Sequence, residues 1–234
     1  MNILITGASR GIGAAAYALL RKHGHRVVGH STKGSDELIA GDLTDPAAPR
    51  NIWDTALDEL GGNIDALINN AGIYEAVADN APDDEWHAAW ARTMTINLQA
   101  AADLCRLAVS HFIDRGGGGR IINIASRASF RGDSPQHWHY AASKAGMVGM
   151  TRTIARGYAN EGILCFAVAP GFTVSEMTAE YLQGRGGAQI VADIPLGRVA
   201  STDEVAEAIR WLATEAPASS TGTILDVNGA SYVR

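Results

Sequence analysis

Residues 6–13, TGASRGIG, constrain this chain more than any other stretch. Three apolar residues, Ile3, Leu4 and Ile5, precede them, and Ile12, Ala15, Ala16, Leu19 and Leu20 follow at helical spacing. Strand, glycine-rich turn and helix in that order predict a site for a dinucleotide's phosphates. The glycines let the backbone turn tightly and approach the pyrophosphate, and the helix N-terminus offers free N–H groups to its charge. Gly7, Gly11 and Gly13 are spaced G-x-x-x-G-x-G, and no Lys-Ser or Lys-Thr pair follows, which excludes a nucleoside-triphosphatase loop.

The same alternation continues to the end. Arg26–Gly29 reads as a second strand and Leu38–Ala40 as a third, too close together for a full helix between them. Asp45 and Pro46 suit the cap and first position of a helix that buries Ile52, Trp53, Ala56, Leu57 and Leu60 and stops at Gly61 and Gly62. Ala66–Asn69 is a buried fourth strand. Residues 83–115 form one long or broken helical region, closed by four glycines, Gly116–Gly119, that serve as a turn into the strand Arg120–Ala125. A helix through residues 140–144 runs to about Asn160, followed by the strand Ile163–Ala169. Residues 176–193 mix glycine with apolar residues and suit a mobile substrate cover. Ser201 and Glu204 make a capping box for a last helix before the seventh strand, Thr223–Val227. Strands alternating with helices predict an α/β fold: a doubly wound parallel sheet of seven strands with helices on both faces, in a single domain spanning 1–234.

Composition narrows function by exclusion. A formal charge of −6 leaves no basic footprint for nucleic acid or an anionic membrane. No charged leader followed by an apolar run opens the chain, so neither a signal peptide nor a membrane span is expected. Cys105 and Cys165 match no metal spacing and read as reduced core thiols of a cytoplasmic protein.

Tyr140 and Lys144 lie four apart, on one helix face. A phenol titrates near ~10, so ionising it at neutral pH requires about 4 kcal/mol, part of which a neighbouring ammonium supplies. The pair is a candidate proton donor and acceptor for carbonyl/alcohol interconversion, although Y-x-x-x-K alone also describes an ordinary helix surface. In its full array the chain resembles the short-chain dehydrogenase/reductase family. TGASRGIG, NNAG at 69–72, INL at 96–98, IINIAS at 121–126, YAASK at 140–144, APG at 169–171 and VNG at 227–229 occur in family order. The resemblance implies a Rossmann-type fold and a catalytic tetrad of Asn97, Ser126, Tyr140 and Lys144. Tyr140 would be the general acid/base, and Ser126 would hydrogen-bond the substrate oxygen. Lys144 would hold the nicotinamide ribose, and Asn97 would hold a water in the proton relay.

The resemblance also implies the cofactor contacts. Gly7, Ser9, Arg10, Gly11 and Ile12 would line the phosphates and adenosine ribose, with Asp42 and Leu43 beside the adenine. Asn69, Ala71 and Gly72 would pass along the ribose, joined by Tyr140 and Lys144, and Pro170, Gly171, Thr173 and Ser175 would flank the nicotinamide. NADP(H) is expected in preference to NAD(H). The second strand ends without the acidic residue that would repel a 2′-phosphate, and Ser31, Thr32, Lys33 and Arg10 stand nearby. The implied activity is hydride transfer between a nicotinamide and a carbonyl or secondary alcohol, closest in look to 3-oxoacyl-(acyl-carrier-protein) reductases. Sugar, steroid and xenobiotic ketone reductases share these motifs. A non-catalytic dinucleotide sensor or scaffold is the rival from another class. The apolar helix 98–115, together with the family resemblance, points to a homodimer or homotetramer.

Several residues stand apart from the family pattern. The connection 31–41 is short, and the step from Ser126 to Tyr140 is one residue longer than usual, which makes Ser129 a reserve for the serine role. His137 and His139 lack a third ligand nearby and read as loop or pocket residues. Arg127, Phe130 and Arg131 are placed either to touch substrate or to face solvent. Trp86 and Trp90 read as packing residues.

Overall fold

The computed structural model describes residues 1–173 and 187–234. Seven strands form one sheet in the order β3-β2-β1-β4-β5-β6-β7, every neighbouring pair parallel. They are β1 (Asn2–Ile5), β2 (Arg26–Ser31), β3 (Leu38–Ala40), β4 (Ala66–Asn69), β5 (Gly119–Ile124), β6 (Ile163–Pro170) and β7 (Ile224–Val227). The chain runs outward to β3, returns to the other side of β1 at β4, and continues to β7. The carboxyl ends of β1 and β4 therefore flank a topological switch point, where a crevice opens.

The helices cover both faces. One core cluster packs α1 (Gly11–Lys22) and the last helix, α8 (Thr202–Thr214), against the sheet through Leu20, Val205, Ile209 and Leu212. The opposite face carries α2 (Ala48–Glu59), α4 (Ala100–Asp114) and α6 (Trp138–Tyr158) through Ile52, Leu104, Phe112 and Ile154. The expected capping box is present: Glu204 N donates to Ser201 Oγ at 3.2 Å, and Ser201 N donates to Glu204 Oε2 at 2.8 Å.

Two elements differ from expectation. Helix α2 begins at Ala48 rather than after Asp45, because the Asp45 carboxylate accepts from Ala47 N at 2.9 Å and closes a separate turn first. Region 83–115 is divided into α3 (Asp83–Met94) and α4 by a π-helical turn, Thr95–Gln99. Gly116, Gly117 and Gly118 all have positive φ, which accounts for the glycine run as a turn. Between β6 and α8 lies α7 (Gly187–Ala192), while Ser175 and most of the expected cover, 176–186, lie outside the described residues. Among the described residues no helix is long and apolar enough to cross a membrane. Among the described residues no group of three or more His, Cys, Asp or Glu is arranged to hold a metal ion.

A row of polar groups crosses the otherwise apolar core. Asn69 on β4 and Asn123 on β5 are register partners, and Asn69 Nδ2 donates to Asn123 Oδ1 at 2.9 Å. Asn123 Nδ2 donates to Thr151 Oγ1 on α6 at 2.9 Å, and Thr151 donates to Met147 O.

Candidate active site

A cavity of about 1060 Å³ opens at the switch point. The glycine loop forms one wall. Gly7 has φ +68°, and a Cβ there would meet Ala71 Cα at 2.8 Å; a Cβ on Gly13 would lie 2.0 Å from Gly7 O. These positions admit no side chain without moving backbone, so α1 starts against the loop at a separation only glycine allows. Helix α1 has no side-chain cap at Arg10 and no acid in its first turn. The N–H groups of its first turn therefore suit an external anion, and Gly11, Ile12 and Gly13 line the cavity there.

Three residues that hold this wall escaped the sequence reading. Asn70 Nδ2 donates to Thr6 O and Gly7 O at 3.0 and 2.9 Å, while Thr6 Oγ1 accepts from the N–H groups of Asn70 and Ala71, both at 3.1 Å. This ties β4's end to the glycine loop. His30, buried at the end of β2, reaches Gly41 O at 2.9 Å and accepts from Gly7 N at 3.4 Å, and burial lowers its pKa. The signal for Asn70 was present in the NNAG motif. Asn69 closes β4 with its side chain in the core, whereas Asn70 lies just past the strand end and reaches the glycine loop.

Of the expected cofactor contacts, Gly7, Ser9, Arg10, Gly11, Ile12, Ser31, Thr32, Asp42, Leu43, Ala71, Gly72, Tyr140, Lys144, Pro170, Gly171 and Thr173 all line the cavity. Asn69 does not. Its side chain belongs to the core row, and Asn70 lines the wall in its place. Lys33 is exposed and is not among the lining residues. Ser31 Oγ accepts from Gly34 N at 3.1 Å, which shapes the tight turn replacing a helix between β2 and β3.

The expected catalytic residues converge from three elements. Tyr140 and Lys144 sit one turn apart on α6, with Lys144 Nζ 5.9 Å from the Tyr140 ring centroid. Lys144 is 4% exposed and donates to Ile124 O at 2.7 Å; its pKa falls to about 8 through desolvation. Burial raises the Tyr140 hydroxyl to about 12, partly offset by a hydrogen bond with Ser126. Ser126, at the end of β5, lines the cavity and its Oγ accepts from Ala128 N at 3.1 Å, whereas Ser129 is outside the lining. The reserve serine is thus displaced from the reacting end. Asn97 lies in the π-helical turn with its side chain engaged by backbone: Oδ1 accepts from Ile73 N at 2.8 Å, and Nδ2 donates to Ile73 O at 2.9 Å. It does not line the cavity, and its Nδ2 also donates to Ser143 Oγ at 3.3 Å. A Cβ on Gly72 would stand 3.3 Å from Asn97 Oδ1 and 3.4 Å from Lys144 Nζ, so this glycine leaves room where the two groups come together.

The long loop before α6 is held by aromatic contacts. Tyr74 stacks on His137 with centroids 3.9 Å apart, meets Tyr140 edge-on at 4.7 Å, and donates to Asp133 Oδ1 at 3.0 Å. Ser134 Oγ and His137 Nδ1 are 2.7 Å apart. The short helix α5 (Ala128–Arg131) ends at Gly132, φ +82°. Trp86 packs edge-on against Trp138 with centroids 5.4 Å apart and lies 6.0 Å from Trp90, as packing residues should.

Comparison with known proteins gives a consistent picture. The family model described as enoyl-(acyl carrier protein) reductase matches residues 7–230. The chain is 35% identical to a 3-oxoacyl-(acyl-carrier-protein) reductase of Vibrio cholerae, covering 98% of this chain and 96% of that protein. It is 36% identical to a cis-4-hydroxycyclohexanecarboxylate dehydrogenase of Sinomonas cyclohexanicum, over 97% and 94%. A short-chain dehydrogenase of Burkholderia cenocepacia, solved in complex with NADP, superposes with a TM-score of 0.87 at 28% identity, covering 98% of this chain and 97% of that one.

Proposed function

The chain belongs to the short-chain dehydrogenase/reductase family, and from that premise we propose that it is an NADPH-dependent ketone reductase with Tyr140 as its acid. Its class is that of oxidoreductases acting on carbonyl and CH–OH groups of small molecules. One observation carries the assignment of Tyr140. It is a half-buried phenol at the reacting end of the cavity beside Ser126 and Lys144, and desolvation holds its pKa well above neutral. At pH 7 such a hydroxyl keeps its proton, as reduction requires.

When bound, the reduced nicotinamide supplies a hydride to the substrate's carbonyl carbon. The residues of the chain do the rest. Ser126 Oγ hydrogen-bonds the carbonyl oxygen, and Tyr140 delivers the proton as charge builds on it. Lys144 stabilises the phenolate left behind and holds the ribose. The first turn of α1, with Ser9 and Arg10, takes the phosphates, and Asn70 and His30 hold that wall in place. Asn97 orders the segment at Ile73, so it acts as a positioning residue. The physiological ketone is taken first as a 3-oxoacyl thioester, the substrate type named for the Vibrio cholerae relative.

Preference for NADPH rests on Arg10, Ser31 and Thr32, which line the cavity. No acid follows β2 until Asp36. A single charge-assisted hydrogen bond from Arg10 to a 2′-phosphate gives roughly ten- to a hundredfold discrimination. Steady-state kinetics with both cofactors on one ketone are expected to show that preference in kcat/KM and its collapse in Arg10→Ala. Equal use of NADH by the wild type would refute it.

The same reading takes 1–234 as one catalytic domain, active as a homodimer or homotetramer in the cytoplasm, where the two buried free thiols stay reduced. Helix α4 buries eight residues within its own chain, so its apolar composition says less about a partner than the sequence suggested. Assembly is inferred from what remains uncovered, Ile113 on α4 and Tyr158 on α6. Light scattering at micromolar concentration is expected to give at least twice the chain mass; a monomer would end this inference.

A further inference from the structure

One cation at the reacting end of the cavity has no part in the chemistry above. Arg127 follows Ser126 directly and lines the same cavity. Its backbone N–H donates to Pro170 O at 2.9 Å, and its guanidinium lies over Phe172, 4.8 Å from the ring centroid. The side chain is only 12% exposed. Its Nη1 is buried and has no hydrogen-bond partner among the described residues. Asp193 Oδ2 stands 4.0 Å from it, beyond hydrogen-bond reach, and that same oxygen is held by Arg131 Nη2 at 2.8 Å. Asp133, the other acid of this wall, accepts from the Tyr74 hydroxyl and from Ser134 N.

Two arginines therefore share Asp193, and the more exposed one has taken it. A largely buried guanidinium with an unmatched donor is costly and needs an explanation. The Phe172 ring contact offers the guanidinium no hydrogen-bond acceptor, and Nη1 remains for one of complementary charge, such as a carboxylate. We propose that Arg127 binds a carboxylate carried by the substrate, so that this site reduces keto acids, with the ketone at Ser126 and Tyr140 and the acid group at Arg127. This rests on the ketone-reductase reading but replaces its first choice of substrate, because a 3-oxoacyl thioester carries no carboxylate beside its ketone.

The test uses the full chain with NADPH and matched ketones: 4-oxocyclohexanecarboxylate and 4-oxopentanoate, each beside its methyl ester, and a 3-oxobutanoyl thioester. Wild type is expected to prefer acid over ester by roughly ten- to a hundredfold in kcat/KM, chiefly through KM, the range of one charge-assisted hydrogen bond. That ratio should fall towards one in Arg127→Met and take an intermediate value in Arg127→Lys, which keeps the charge without the planar fork. Esters or the thioester reduced as well as the acids by wild type, or an unchanged ratio in Arg127→Met, would overturn the proposal. If wild type reduces none of these ketones, the reductase reading fails, and calorimetric titration of the acids into NADP⁺-loaded protein judges Arg127 separately. Binding that weakens in Arg127→Met supports the proposal, and absence of binding to wild type overturns it.

Discussion

Replacing Tyr140 by Phe is expected to lower kcat by roughly 10²–10⁴-fold while leaving the protein folded, the range for removal of a positioned acid. The substitution keeps the ring and hence its edge-on contact with Tyr74. It removes only the hydroxyl that pairs with Ser126. The hydroxyl's raised pKa also fixes which direction suffers from pH. With a value of about 12 in the free protein, the phenol is protonated throughout the ordinary range, so reduction needs no prior ionisation. Alcohol oxidation starts from the phenolate, and at pH 7 five pKa units separate the two forms, about 7 kcal/mol. A unit charge near 6 Å at an effective dielectric of about 20 returns about 3 kcal/mol. Lysine alone is therefore insufficient, and oxidation should quicken as pH rises. Undiminished ketone reduction by a folded Tyr140→Phe protein, measured by stopped assay with NADPH, would remove Tyr140 from the mechanism.

Lys144→Met separates function from stability and should move them in opposite directions. The ammonium is buried, with one hydrogen bond, to Ile124 O, and no carboxylate paired to it among the described residues. Its fall from 10.5 to about 8 corresponds to about 3 kcal/mol of disfavoured charge at pH 7. Methionine of similar length relieves that cost but strands the Ile124 carbonyl, which takes back about 1–2 kcal/mol. The variant should therefore gain about 1–2 kcal/mol in denaturant unfolding of the free protein, and lose at least about a hundredfold in kcat/KM. The pH dependence follows from the direction of the shift. Below about 8 the lysine is charged in both states and the cost is complete. Between about 8 and 10.5 only the unfolded chain keeps the proton, so wild-type stability rises with pH and the advantage of methionine shrinks. A variant less stable than wild type at pH 7 would show that burial of this lysine is better compensated than its contacts indicate.

Much of this architecture was legible because the determinants are local. Apolar runs bounded by glycine located β3 and β4 to the residue, and Ser201 with Glu204 started α8 where the capping pattern placed it. What was missed depends on competition or on distance along the chain. Asp45 can cap a helix or close a turn, and only the packed structure shows that it closes the turn. The π-helical turn at Thr95–Gln99 leaves no trace in periodicity, since one extra residue in a helix looks like noise. Lining residues near the glycine loop were readable from motif order. Asn70 and Asn69 exchange roles because the strand ends between them. Tyr74 meets His137 and Tyr140 across more than sixty residues, and nothing near Tyr74 in the sequence announces it.

The polar row Asn69–Asn123–Thr151 bears on how the chain avoids wrong answers while folding. Parallel strands of uniformly apolar residues can slide by two positions and still bury greasy surface, and a helix can slip by a turn for little more. Here either slip would strand amide groups in a medium of low dielectric, where each unmatched group costs more than a lost methyl contact. The native alignment leaves Asn69 Oδ1 unmatched among the described residues but pairs the other side-chain groups of the row, so misaligned competitors are raised further and the gap between the native basin and its decoys widens. Ser126 lies three residues beyond Asn123, and Tyr140 lies eleven before Thr151 on the same helix. The discrimination that selects the fold thereby sets acid and serine side by side.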